Sequence, residues 1–372
     1  MLDVTEEARR EMAALHGDRI PYYFWIVPVL GLLGWAGIGK GGGLIAGLVL
    51  AALLIGSVLA AVHHAELVAL RLGEPYGTLV LTLSMTIIEI AMLVSLMLTG
   101  EPNPFLVRDA VQAVVILVVH GIAGACIVIG ALRHREQEFS TAGASAFLAV
   151  LMPMVALVLI LPNHTLTTLG PYYSSRQLVF VAIACFALYL VFLFVQTVRH
   201  REYFLPAVAD RRPAGEASPP SARIAGIAGL LLVLSLTAVV LLAKSLAPSI
   251  EAGIAAIGAP VRLAGVVVAA IVLMPETGAA IGAARNDRLQ TSINLALGSA
   301  VACIGLTIPS VVAISLWFNL PLALGVDSGG TVLLVLSFLM AMLTYGQGRT
   351  NLLAGFVHLV LLVCYVFLIF EP

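Results

Sequence analysis

Two carboxylates stand alone in long apolar stretches of this chain, Glu89 in TLVLTLSMTIIEIAMLVSLMLT and Glu276 in LAGVVVAAIVLMPETGAAIGAA. A carboxylate in hydrocarbon is costly, so it persists where it faces a protein cavity and handles ions or protons. Thr82 and Thr86 precede Glu89 by seven and three residues, which puts both hydroxyls on its helical face. Pro275, directly before Glu276, has no backbone N–H and frees a carbonyl that can ligate a cation. Ca²⁺ takes roughly six to eight hard oxygens from carboxylates, carbonyls, hydroxyls and water. Glu89 and Glu276 offer such an ion a charge near −2. Two carboxylates facing each other in low dielectric do not both stay ionised, so protons compete with the metal for the same oxygens. That competition is sufficient for exchange.

Other polar residues at span depth carry two readings each. Asn294 and Ser299 offer amide and hydroxyl oxygens to complete a cation site, or else hydrogen-bond between helices. Asp109 is a mouth residue that collects cations, or one half of an Arg108–Asp109 structural pair, and Gln112 lies three residues deeper as an accessory ligand. His120 is placed to relay protons, or is a packed histidine, and His358 carries the same reading more weakly. His63, His64 and Glu66 (HHAE) lack the HExxH spacing of a zinc hydrolase and read as a wet cluster at the end of a span that senses pH or cations. Four cysteines stand singly in apolar runs, without metal spacing, and read as small packing residues.

The elements that must position these groups follow from composition. The chain has 372 residues, 61% hydrophobic and 10% charged, where a soluble protein carries about a quarter charged. Apolar runs predict eleven membrane-crossing helices, at 22–38, 44–62, 76–99, 105–131, 143–161, 178–198, 224–243, 261–284, 289–317, 331–345 and 350–370. The opening MLDVTEEARREMAALHGDRI mixes acids and bases and reads as a cytoplasmic segment, not a signal peptide. With the N-terminus inside, fourteen Arg fall in inner segments and five Lys or Arg in outer ones, the asymmetry of a correctly counted topology. Residues 199–223, RHREYFLPAVADRRPAGEASPPSAR, read as a flexible cytoplasmic linker. It divides the chain into 1–43 (terminus and extra helix), a first five-helix repeat at 44–198, and a second at 224–372. An odd number of spans inverts the second repeat, an arrangement that places substrate near the midplane on interrupted helices. Glu89 and Glu276 then occupy the second span of each repeat. The expected fold is all-α and polytopic, with two inverted five-helix repeats plus one extra helix.

Several segments also resemble a known family. MPETGAAIGAARNDRLQTSINLALGSAVACIGLTIP (274–309) resembles the second alpha-repeat of the calcium:cation antiporter superfamily, with its Pro-Glu on Pro275 and Glu276 and its Ala-Leu-Gly-Ser on Ala296 to Ser299. GEPYGTLVLTLSMTIIEIAMLVSLML (73–98) resembles the first, with the glutamate at Glu89. It lacks the Gly-Asn or Pro before that glutamate and keeps Ser84, Thr86 and Ile88 there. HHAE, VRDAV, LQTSINLALGSA and the C-terminal GQGRTNLLAGFVHLVLLVCYVFLIF are similar to the ChaA-type bacterial branch and to proton-coupled calcium exchangers. The resemblance spans about 60–370 and implies Ca²⁺/H⁺ or Na⁺(K⁺)/H⁺ antiport.

The expectation is therefore a secondary antiporter in the bacterial inner membrane, N-terminus cytoplasmic and C-terminus periplasmic. It expels Ca²⁺, or Na⁺ or K⁺, against protons by alternating access at a midplane two-glutamate site. The membrane potential supplies about 2.3 kcal/mol per charge per 100 mV if net positive charge enters. A passive cation channel using the same carboxylates is the alternative. No ATP-binding or catalytic motif is present, so neither a pump nor an enzyme is expected. Its partners are inorganic cations, protons and the bilayer, with no nucleic acid and no cofactor beyond the transported ions.

Overall fold

Eleven helices follow one another in the computed structural model, which describes residues 20–39, 43–73, 76–98, 103–204 and 220–371. The N-terminal segment up to Arg19 and most of the 199–223 linker lie outside the described residues. The helices are α1 (Tyr22–Ile38), α2 (Leu44–Leu72), α3 (Tyr76–Leu98), α4 (Leu106–His134), α5 (Thr141–His164) and α6 (Ser175–Arg199). After the linker come α7 (Ala222–Ala256), α8 (Leu263–Arg285), α9 (Leu289–Phe318), α10 (Ser328–Tyr345) and α11 (Leu352–Phe370). Ten of these, α2 to α11, are long and apolar enough to cross a membrane. The 17 residues of α1 rise only about 25 Å. Their apolar outer faces are bare: Phe180 on α6 and Val363 on α11 are 66% and 65% exposed, as lipid contact requires. The protein is a multi-pass membrane protein.

Two helices overrun their expected ends. The second continues ten residues past 62, through HHAE to Leu72, and the seventh continues through Lys244 and Pro248 to Ala256. Helix α8 runs unbroken through Pro275. Among the described residues the helices are irregular at π-helical turns, Leu117–Ile122, Ala156–Ile160, Val195–Arg199 and Cys303–Thr307, and at the 3₁₀ turn Leu161–His164 that ends α5.

By its internal contacts the chain forms two compact units, Met1–Thr99 with Arg211–Ile250, and Gly100–Asp210 with Glu251–Pro372. Each draws on both sides of the linker. In the first unit, Gly31 on α1 lets α2 and α7 approach; a Cβ there would lie 2.7 Å from Ser57 Oγ and 3.2 Å from Ala238 Cβ. Pro28 sits inside α1 and has no N–H for the carbonyl of Phe24 four residues back. His64 on α2 supplies the missing donor, its Nε2 lying 3.1 Å from Phe24 O. The neighbouring His63 stacks on the Phe24 ring at 4.0 Å. These histidines sit well inside α2, not at the wet span end that the apolar run predicts for HHAE.

The second unit is organised around α4, whose residues Leu106–Ile116 are all buried. Its loops sort into two sets. In one, Gln137 and Glu138 (β1) pair antiparallel with Arg349 and Thr350 (β2). Gln137 Nε2 also donates to Asp287 Oδ1 at 2.8 Å, and Asn294 Nδ2 to Phe204 O at 2.6 Å. In the other, Ala323 N donates to Pro104 O and Leu324 N to Pro171 O, and Arg262 pairs with Asp327. Each set joins loops from the same side of an alternating count, so α4 to α6 and α8 to α11 each traverse this unit once.

Candidate cation and proton site

In the first unit, Glu89 is 4% exposed on α3. A helix face of 3.6-residue period brings Thr82 and Thr86 alongside it. Thr86 is buried and donates its hydroxyl hydrogen to Thr82 O at 2.9 Å. With the hydrogen committed backwards, the Oγ1 lone pairs are left to accept a hydrogen bond or ligate a cation. Ser84 also bonds backwards, to Val80 O at 2.8 Å, but five residues put it about 140° round the helix from Glu89.

In the second unit, Glu276 is half-buried on α8. Pro275 has no N–H, so the carbonyl four residues back, that of Ile271, has no helical donor. Thr277 commits its hydroxyl hydrogen to Leu273 O at 2.7 Å. The helix is held close to α4 by Gly265, where a Cβ would lie 2.6 Å from Ala110 N and 2.8 Å from Asp109 C. Only a hydrogen fits there.

Asn294 is engaged in local structure. Asn294 Oδ1 accepts from Gln290 Nε2 at 2.8 Å while its Nδ2 holds Phe204 O, and Gln290 Oε1 accepts from Ser140 N at 2.6 Å. This amide chain ties α9 to the start of α5 and to the segment after α6. Ser299 is half-buried and lies about 140° round α9 from Asn294, so the two do not share a helical face.

Asp109, 3% exposed, receives Arg108 Nε and Nη2 on Oδ1, both at 2.8 Å. Arg262 Nε lies 3.7 Å from the same oxygen and donates through Nη2 to Asp327 Oδ2 at 2.8 Å. Asp327 also caps α10 by accepting from Gly330 N at 2.6 Å. Burial opposes its ionisation, but the Gly330 N–H and the Arg262 guanidinium outweigh that and hold Asp327 below the usual carboxylate range. Asp109, Gln112, Arg262, Asp327 and Tyr365 line a cavity of about 310 Å³. Two arginines balance its two aspartates.

His120 lies in the π turn of α4 and is fully buried, as is His358 on α11. Their Nδ1 atoms are 2.8 Å apart, and His358 Nε2 is 2.9 Å from Thr344 Oγ1 on α10. The two histidines are 238 positions apart, so their pairing leaves no local signal in the sequence. Among the described residues no group of three or more His, Cys, Asp or Glu gathers. A cation held by glutamate here would complete its shell with oxygens from hydroxyls, carbonyls, amides or water.

The chain is similar to known proteins over most of its length. The family model for sodium/calcium exchanger proteins matches residues 42–198 and 227–371. The candidate ionic transporter y4hA of Sinorhizobium fredii is 41% identical over 367 residues, 97% of this chain and 99% of that protein. The sodium-potassium/proton antiporter ChaA of Escherichia coli is 32% identical over 319 residues, covering 85% of this chain and 86% of its own. Among solved structures, the Ca²⁺/H⁺ antiporter protein YfkE shares the fold, with a TM-score of 0.71 at 16% identity over 94% of this chain and 99% of that one.

Proposed function

This chain belongs to the sodium/calcium exchanger protein family, and from that premise we propose that it exchanges Ca²⁺ for protons, with Glu89 and Glu276 as the carboxylates for which the two ions compete. The pair carries a charge of −2 that one Ca²⁺ or two protons would neutralise. A charged, unloaded carboxylate resists movement through low dielectric, and neutralisation by either ion lifts that barrier. Alternating access under this rule gives obligatory exchange rather than a leak.

The observation that carries the reading is the buried Glu89 beside Thr86, whose hydroxyl hydrogen is already committed to Thr82 O. On α8, Glu276 and the Ile271 carbonyl released by Pro275 supply the same oxygen chemistry. Thr82, Asn294 and Ser299 are the secondary ligands of this proposal, with Asp109 and Gln112 as accessory ligands and His120 as an accessory proton relay, not a cation ligand. A monovalent reading, Na⁺ or K⁺ against protons, is favoured by the name of the Escherichia coli relative.

The proposed setting is the bacterial inner membrane, with the N-terminus cytoplasmic and the C-terminus periplasmic. The Arg-rich loop set containing Arg133, Arg135, Arg285, Arg288 and Arg349 supports that orientation. The two inverted repeats, 44–198 and 224–372, belong to the same proposal. Purified protein in lipid vesicles loaded with unlabelled Ca²⁺ tests exchange directly. Saturable uptake of labelled Ca²⁺ against the internal pool is expected. Uptake that never saturates and needs no internal ion is channel behaviour and contradicts the proposal.

A further inference from the structure

We propose that His120 and His358 together form a third proton-binding site, one that holds a single proton within the second unit during exchange. Its role in transport rests on the antiport reading above. The argument begins with the 2.8 Å contact between the two Nδ1 atoms. Two ring nitrogens at that separation share one hydrogen, so one imidazole donates and the other accepts.

Two neutral arrangements satisfy this. In the first, His358 Nδ1–H donates to His120, and His358 Nε2 accepts from the Thr344 hydroxyl. In the second, His120 Nδ1–H donates to His358, and His358 Nε2–H donates to Thr344 Oγ1. Adding one proton to either arrangement gives an imidazolium–imidazole pair in which both observed contacts survive. A second proton would set two N–H groups facing each other across 2.8 Å. The capacity of the pair is therefore one.

The surroundings fit a site that exchanges its proton. His120 Nε2 is buried and has no hydrogen-bond partner among the described residues, which is rare for a buried polar atom and leaves that nitrogen available to take or give a proton. His120 sits in a π-helical turn, a feature frequent at functional sites. Gly124 makes the approach of α11 possible, since a Cβ there would lie 2.9 Å from His358 Cβ. Helices α8 to α11 pack against this turn. Their ionisable side chains are Glu276 and Arg285 on α8, Cys303 on α9, Tyr345 on α10, and His358, Cys364 and Tyr365 on α11. On α4 itself they are Arg108, Asp109, Cys126, Arg133 and His134. Glu276 is the one carboxylate those four neighbouring helices carry.

The test uses the full chain in lipid vesicles, with ring-¹⁵N histidine followed by solid-state NMR between about pH 5 and 8. The expected result is one imidazolium equivalent that appears as pH falls and is missing in both His120→Gln and His358→Gln. In the same vesicles, both variants should lose cation-driven proton flux about 100-fold, as for loss of a proton-transferring side chain, while cation affinity is unchanged. A wild-type pair that stays neutral throughout overturns the site. So do variants with wild-type flux and wild-type pH profile. If wild-type protein shows no cation-coupled proton flux, the antiport reading fails, and the NMR titration alone decides the proton site.

Discussion

His64 donates from Nε2 to the carbonyl of Phe24 at 3.1 Å, the carbonyl that Pro28 leaves without a helical donor. A side chain from α2 thereby completes the backbone bonding of α1. His64→Ala leaves a part-buried carbonyl without its donor and should cost about 1–3 kcal/mol of stability. Pro28→Ala restores a backbone N–H at that turn and should recover most of the loss in the double variant. Thermal unfolding of the four proteins in detergent checks the cycle; additive losses would contradict the link.

Gly265→Ala places a methyl 2.6 Å from Ala110 N. Helix α8 must then move off α4, and overpacking of this kind costs about 1–3 kcal/mol. Because α8 carries Glu276, ion exchange should fall together with melting temperature, whereas Gly278→Ala, with nothing within 4 Å of its Cβ, should change neither through packing.

How far the sequence was readable differs from element to element. The order and number of helices followed from apolar runs, because burial in lipid demands them. Their ends did not: α2 passes through His63, His64 and Glu66 to Leu72 because His64 finds a backbone acceptor on α1, which no local pattern announces. The π turn at His120 has no compositional mark. Glu89 and Glu276 stood out because a lone carboxylate contrasts sharply with its apolar flanks. The engagement of Asn294 was invisible, since its acceptor Phe204 lies 90 positions away.

Thr86→Val keeps the shape of the side chain and removes the oxygen beside Glu89. If that oxygen is a ligand, cation affinity should fall about ten-fold, or ~1.4 kcal/mol, with little change in melting temperature. Equilibrium binding by calorimetry checks it, and unchanged affinity would remove Thr86 from the ligand set.

The Arg262–Asp327 pair gives a pH signature away from the membrane core. The Asp327 carboxyl is held below its ordinary range, so its contribution is fully present above the unfolded value, about 3.9. It is lost as pH falls through the lower folded value. The melting-temperature gap between wild type and Asp327→Asn should be constant from neutral pH to about pH 5 and close below about pH 4. A gap that persists in acid would mean that the cap on α10, not the charge, carries the effect.

Cation-dependent proton flux in vesicles with a preset acidic lumen tests the two glutamates most directly. Ca²⁺, Na⁺ and K⁺ are added in turn to wild type, Glu89→Gln and Glu276→Gln. Proton efflux triggered by Ca²⁺ and abolished by either substitution is the predicted result. Efflux that persists in both variants would show that the exchanged ions bind elsewhere.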